Sequence, residues 1–529
     1  MKNYKDINLG YIDAVNYRKR ENKELFNKIF VKDTFLDQIC RGDIYFLIGE
    51  KGTGKTAYSI YLTNNGYLNN VASTRFVRET EYIKFMKMKN ANQLDLSDFV
   101  SIWKVIIYVL LFEQLNEKEG LISKLKNIKR FNALKDTVDE FYAGAFSPEI
   151  TTAISFAENS KEAAEIMFKH FKIQGMEEKS YTFTEQRYQT NLLYLQRKFE
   201  SVFEDIKLSK SHILFIDGID IRPANIPFAE YLDCVKGLAN AIWEINNDIF
   251  PKIKDSTGRI RVVLLLRPDI FSSLSLQNQN PKFSENSVFL DWRTEYVSYK
   301  NSEIFKIFDN LFSSQQSNTD NLAQGESWGH YFPWDAPNLY DDYNGQPTSF
   351  INFLRWSYYR PRDILEMLIL LQKNSSNFEV ITLQDFENPA FQRDYSNYLL
   401  GEIKDHLLFY YSSSEYDIFL KFFEFLDGRK KFDYQEYLEA FAKLESHIET
   451  LKITNLPKFM NTPNDFLQFL FDLNVICYVE WTEERKSFIH WCFKDRTYGN
   501  ISPQVKSGVE YQVFYGLLKS LNLGKNFVS

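Results

Sequence analysis

The chain has 529 residues, 44% hydrophobic and 16% aromatic, with a net charge of −7. This length suggests several domains, the hydrophobic content excludes a disordered chain, and the acidic balance disfavours a protein held mainly on nucleic-acid phosphates. Cys40, Cys234, Cys477 and Cys492 form no C-x-x-C pair and have no histidine at zinc spacing, and the first ten residues hold no apolar run. A reduced, cytoplasmic protein without a membrane span is therefore expected.

Residues 1–40 read as a helical lead-in with Phe26, Phe30 and Phe35 at helical spacing, either plain core or packed beside a base. Ile44 to Ile48 is an unbroken apolar run and reads as a strand buried on both faces. It runs into Gly49-Glu50-Lys51-Gly52-Thr53-Gly54-Lys55-Thr56, followed by Ala57 and a helical stretch. Strand, glycine-rich loop and helix form the context in which G-x-x-x-x-G-K-T binds nucleotide phosphates. Gly49, Gly52 and Gly54 are expected to free the backbone so that successive N–H groups wrap a phosphate. Lys55 would reach the β- and γ-phosphates, and the Thr56 hydroxyl would bind Mg²⁺.

Asn70 to Val77 reads as the next strand, and residues 80–210 as a long helical insertion with helix starts at Asp95 and Glu185. Its apolar stretch Val100–Phe112, broken by Lys104, is too short to span a bilayer. Its most basic run, Lys124–Arg130, is most simply a solvated face. His212 to Asp217 is a buried strand ending in an acid, which places Asp217 to hold Mg²⁺ directly or through water. Asp220 falls where a second carboxylate would orient or activate water, or else lies on the surface. Arg261 to Leu266 is a further buried strand; Arg267 at its end is either a γ-phosphate contact or a salt-bridged loop arginine. Residues 276–286 read as a polar loop and Ser287–Trp292 as the last core strand. Arg222, Lys282 and Arg293 are the candidates for a cation offered to a neighbouring subunit's nucleotide.

Helices are expected over 301–312, Ser349–Trp356 and Pro361–Leu371, with an ordered excursion over 313–347. Arg362 sits in the first turn of the last of these, where it would swing onto the γ-phosphate, with Arg360 next best. Three helices (Glu415–Leu426, Tyr434–His447 and one capped by Thr462) precede a hairpin of Val475–Trp481 and Lys486–Phe493, the order of a winged helix. The third helix has two Asp, one Asn, one Gln and no basic residue, which suits packing against protein more than reading bases.

The glycine-rich loop, Phe215-Ile-Asp-Gly-Ile-Asp220, Leu266-Arg-Pro268 and Arg360-Pro-Arg-Asp363 ahead of a winged helix together resemble the P-loop ATPases of the AAA+/STAND group. The D-G-x-D form resembles a NACHT-type Walker B motif, departing from it at Ile221. Arg-Pro-Arg-Asp resembles the sensor-2 region of origin-recognition-type ATPases, which implies that Arg362 meets the γ-phosphate. More narrowly, the chain resembles bacterial FunZ-like ATPases. The resemblance implies an α/β P-loop NTPase core with a mostly parallel sheet over 41–300, including the 80–210 insertion. It also implies a helical lid over 301–400 and a winged-helix-like domain over 401–529.

No guanine-reading Asn-Lys-x-Asp follows a core strand, so ATP is expected rather than GTP. The expected function is a Mg²⁺-dependent ATP/ADP switch that hydrolyses ATP and acts in bacterial defence or signalling, as a homo-oligomer and with a protein partner. A DNA-associated ATPase and a small-molecule kinase are the alternatives.

Overall fold

The computed structural model describes residues 1–77, 96–119, 196–197, 199–200, 203–204, 206–219, 222, 226–253, 256–274, 279–317, 322–337, 347–451, 456–483, 487–497, 500 and 502–524. Asp220, Ile221, the Lys124–Arg130 run and most of the 80–210 insertion lie outside these residues. The chain forms two compact units. One comprises Thr34–Gly49 and Lys55–Leu290; the other comprises Met1–Asp33, Glu50–Gly54 and Asp291–Ser529.

The first unit is an α/β layer structure. Its strands are β1 (Phe46–Ile48), β2 (Asn70–Phe76), β3 (Ser211–Asp217), β4 (Ile260–Leu266) and β5 (Ser287–Phe289). All pair in parallel, in the order β2-β3-β4-β1-β5. Continuous apolar runs suit such strands because helices cover both faces; every residue of β1 and β4 is buried. Since β4 lies between β1 and β3, its carboxyl end stands between those of the other two, with Gly49 N donating to Leu266 O. The helix Leu96–Glu119, the longest described part of the insertion, buries Ile102, Trp103, Ile106 and Ile107. It packs on Phe228–Glu244, where Trp103 Nε1 donates to Cys234 O at 3.2 Å. Most of the described apolar side chains of this stretch are thus core. Among the described residues no helix is long and apolar enough to cross a membrane.

Two expectations for this unit need correction. Residues Gln279–Asn286 form a helix, not a loop: Pro281 falls in its first turn, where the missing N–H has no intrahelical role. The last strand ends at Phe289 rather than Trp292. The three phenylalanines of the lead-in also part company. Phe26 is buried and stacks on Tyr17 with centroids 4.3 Å apart, whereas Phe35 lies in the sheet-bearing unit, edge-on to Tyr58.

The second unit is built on aromatic packing. Helices Glu303–Ser313, Glu326–Tyr331, Ser349–Trp356 and Pro361–Asn374 surround Trp328, Phe312, Phe332 and Phe350. Tyr4 enters this cluster and donates its hydroxyl to Leu368 O at 2.9 Å. Further along are helices Ser413–Glu424, Tyr434–Thr450 and Pro463–Asp472, the last capped by Thr462, whose hydroxyl accepts from Asp465 N. The expected hairpin is present as β7 (Ile476–Trp481) and β8 (Ser487–His490). It belongs to a four-stranded antiparallel sheet, β6-β9-β7-β8, with β6 (Lys431–Phe432) and β9 (Glu510–Val513).

Candidate phosphate-binding site

Local backbone geometry shapes the loop. Gly52 and Gly54 have φ of 90° and 96°, a region that favours glycine. Gly49 does not share it: its N–H donates to Leu266 O, continuing the β1 ladder. Thr53 closes a turn, its hydroxyl donating to Glu50 O at 2.8 Å. The following helix begins at Lys55, so the first-turn N–H groups of Lys55, Thr56 and Ala57 have no intrahelical acceptors and carry the helix's positive end.

In the sheet-bearing unit, Lys55 is 8% exposed and its Nζ donates to Gly49 O at 2.7 Å, bringing the ammonium back onto its own loop. Thr56 Oγ1 donates to Asp217 Oδ2 at 2.7 Å across a sequence separation of 161 residues. Asp217 is 7% exposed, and its Oδ1 accepts from Gly218 N at 2.7 Å. Gly218 has φ 88°, and a Cβ there would stand 2.7 Å from Val77 O, which belongs to the backbone beside β3. Gly218→Ala is therefore expected to destabilise the fold by about 2 kcal/mol or more, read by urea denaturation. An unchanged midpoint would contradict this close approach.

Arg267, 2% exposed, is bound by Asp269 in a fork: Nε to Oδ1 at 3.1 Å and a terminal nitrogen to Oδ2 at 2.7 Å. Of its two sequence readings, the salt-bridged one is the observed arrangement. Arg222 donates to Ile226 O, and burial lowers its pKa from the ordinary guanidinium value. Lys282 lies on the helix Gln279–Asn286, its side chain outside the described residues.

In the other unit, the loop segment Glu50–Gly54 is held by residues far away in sequence. Trp292 Nε1 donates to Thr53 O at 2.9 Å. Arg362 N donates to Gly52 O at 3.2 Å. Glu50 is paired with Arg496, which also donates to Asp472 O at 3.3 Å and lies 3.2 Å from Cys492 Sγ. Burial pushes that thiol up to about 12. Lys51 pairs with Asp405 at 2.8 Å and Glu402 at 3.2 Å. Arg293 uses its guanidinium on Asp291 and on the carbonyls of Lys494 and Arg496. Trp292 and Arg293 thus link the loop to the segment that supplies Arg496.

Arg360 is engaged within its own turn. Its Nε and a terminal nitrogen bind Asp363 at 2.9 and 2.8 Å, and its guanidinium lies 4.9 Å over the Tyr358 ring. Burial by itself would lower its pKa, but Asp363 above all outweighs that and raises it. Trp292, Glu402 and Arg496 escaped the sequence reading, because nothing local distinguishes them from packing or surface residues.

No known protein-family model matches the chain, and no curated protein matches it.

Proposed function

We propose that the chain binds ATP with Mg²⁺ at Gly49–Thr56 and hydrolyses it as a conformational switch of the AAA+/STAND kind. The observation that carries this reading is the hydrogen bond from Thr56 to Asp217. It brings a hydroxyl and a carboxylate, both hard oxygen donors, to 2.7 Å. That is close to the ~3 Å between neighbouring ligands of an octahedral Mg²⁺. These residues therefore fit the ion, which when bound would neutralise charge on the phosphates. The loop N–H groups and the first turn of the Lys55–Asn64 helix cradle the phosphate, and Lys55 exchanges the Gly49 carbonyl for a phosphate oxygen. Arg362 is assigned to the γ-phosphate, and Asp220, from its place in the sequence, to orienting the attacking water.

Support for a switch comes from the loop's attachments. Trp292, Arg362, Arg496 and Lys51's carboxylate partners all bear on residues 50–53, so rearrangement there reaches the helices and antiparallel sheet of the same unit. We read those C-terminal elements as winged-helix-like. On Pro463–Asp472 the exposed residues are Asn464 and Asp465, which favours a protein partner over duplex DNA.

The test is Mg²⁺-dependent ATP turnover together with proteolysis in ATP and ADP. Asp217→Asn should retain the fold and lose turnover by roughly a hundredfold or more. Turnover that persists in this variant, or digestion patterns identical in ATP, ADP and no nucleotide, would reject the reading.

A further inference from the structure

Lys51 and Arg362 flank Gly52. Lys51 precedes it in the loop, and Arg362 packs its Cβ 3.0 Å from where a Gly52 Cβ would stand. Both cations turn to one carboxylate: Lys51 Nζ lies 3.2 Å from Glu402 Oε1, and an Arg362 terminal nitrogen 3.7 Å from Glu402 Oε2. Lys51 also meets Asp405, but that side chain is 64% exposed whereas Glu402 is 14% exposed. Ion pairs survive solvent better at the less exposed partner.

Glu402 is an incompletely satisfied anion. Its Oε2 is buried and accepts no hydrogen bond, so Arg362 answers the charge on that oxygen by proximity alone. Glu366, one helical turn beyond Arg362, also has a buried Oε2 without a hydrogen bond. Burial first, then Glu402 and Asp363, hold the Glu366 carboxyl above the ordinary range. This is a negative neighbourhood from which cations are available to a stronger anion.

We propose that Glu402 is an internal stand-in for phosphate: it holds Lys51 and Arg362 in reserve, and the phosphate chain of a nucleoside triphosphate takes both from it. The inference rests on the nucleotide-binding reading of the loop. It makes Glu402 a positioning residue that restrains affinity, since a ligand must displace it before gaining the two cations.

The experiment is ATP binding by calorimetry with Mg²⁺ on the full chain. Glu402→Gln should tighten binding by about three- to tenfold, because the competing charge is gone while both cations remain. Its melting temperature should move by less than roughly 4 °C, as expected for partly exposed ion pairs. A merely structural residue would weaken binding when replaced. Repeating the change in a Lys51→Met background releases Arg362 alone and keeps the neighbourhood closer to neutral if the single variant folds poorly. Tightening should be smaller there, and equal tightening in both backgrounds overturns the pairing of Lys51 with Glu402. If wild type binds ATP and the folded Glu402→Gln binds it equally or less tightly, the stand-in is wrong and the nucleotide site stands. If wild type binds no ATP, the nucleotide reading fails and the inference falls with it.

Discussion

Lys55→Ala is expected to weaken ATP binding by about 30- to 1,000-fold and to remove turnover with it. The ammonium is buried and already faces the loop, 2.7 Å from Gly49 O. A phosphate there meets a fixed positive charge shielded from water, where charge-assisted contacts are about twice as strong as neutral ones. Truncation removes that contact and leaves no cation of equal reach on the Lys55–Asn64 helix. Lys55→Arg should not restore binding, because a planar guanidinium cannot occupy the space of a compact ammonium. Stability is a separate matter. The hydrogen bond from Lys55 to Gly49 is to a neutral carbonyl, and a contact of that kind contributes only about 1 kcal/mol. Calorimetry and a urea transition on the same preparations separate the two effects. ATP binding within threefold of wild type would show that the loop is a turn and not a phosphate site.

Asp363→Ala carries the second large effect, and it acts on the fold. Asp363 is wholly buried and accepts four hydrogen bonds: two from Arg360, one from Tyr358 N at 3.1 Å and one from the Tyr398 hydroxyl at 3.0 Å. Removing it strands the Arg360 guanidinium over Tyr358 without its counter-charge. Breaking one side of a buried pair typically costs about 3–5 kcal/mol, and in this unit should lower the melting temperature by roughly 6–20 °C. The paired change Arg360→Met with Asp363→Leu should recover much of the loss, because neither member of the pair is then left as an unpaired buried charge. A loss below about 1 kcal/mol for Asp363→Ala would show that the pair is solvated and does not organise the start of the Pro361–Asn374 helix.

Much of the α/β core was legible from local pattern. Strands buried on both faces are apolar along their centres, which marks Phe46–Ile48, Ile213–Ile216 and Val262–Leu266 as sheet. Helix starts announce themselves through caps, as Thr462 and the Asp433–Glu436 capping box do. Where signals were weak the reading slipped. Gln279–Asn286 has no apolar face to reveal its period, and β6 and β9 are two and four residues long.

The amino-acid sequence by itself determined the glycine-rich loop and the acid ending β3, because glycine, lysine and hydroxyl chemistry are written in consecutive residues. Only the tertiary structure decided that Thr56 meets Asp217, that Asp269 binds Arg267, and that Trp292, Arg496 and Glu402 hold residues 50–53. The physical reason is range. Backbone conformation and helix capping depend on neighbours a few residues away, whereas ion pairs and buried hydrogen bonds are chosen by whichever groups the packed core brings within about 3 Å of one another.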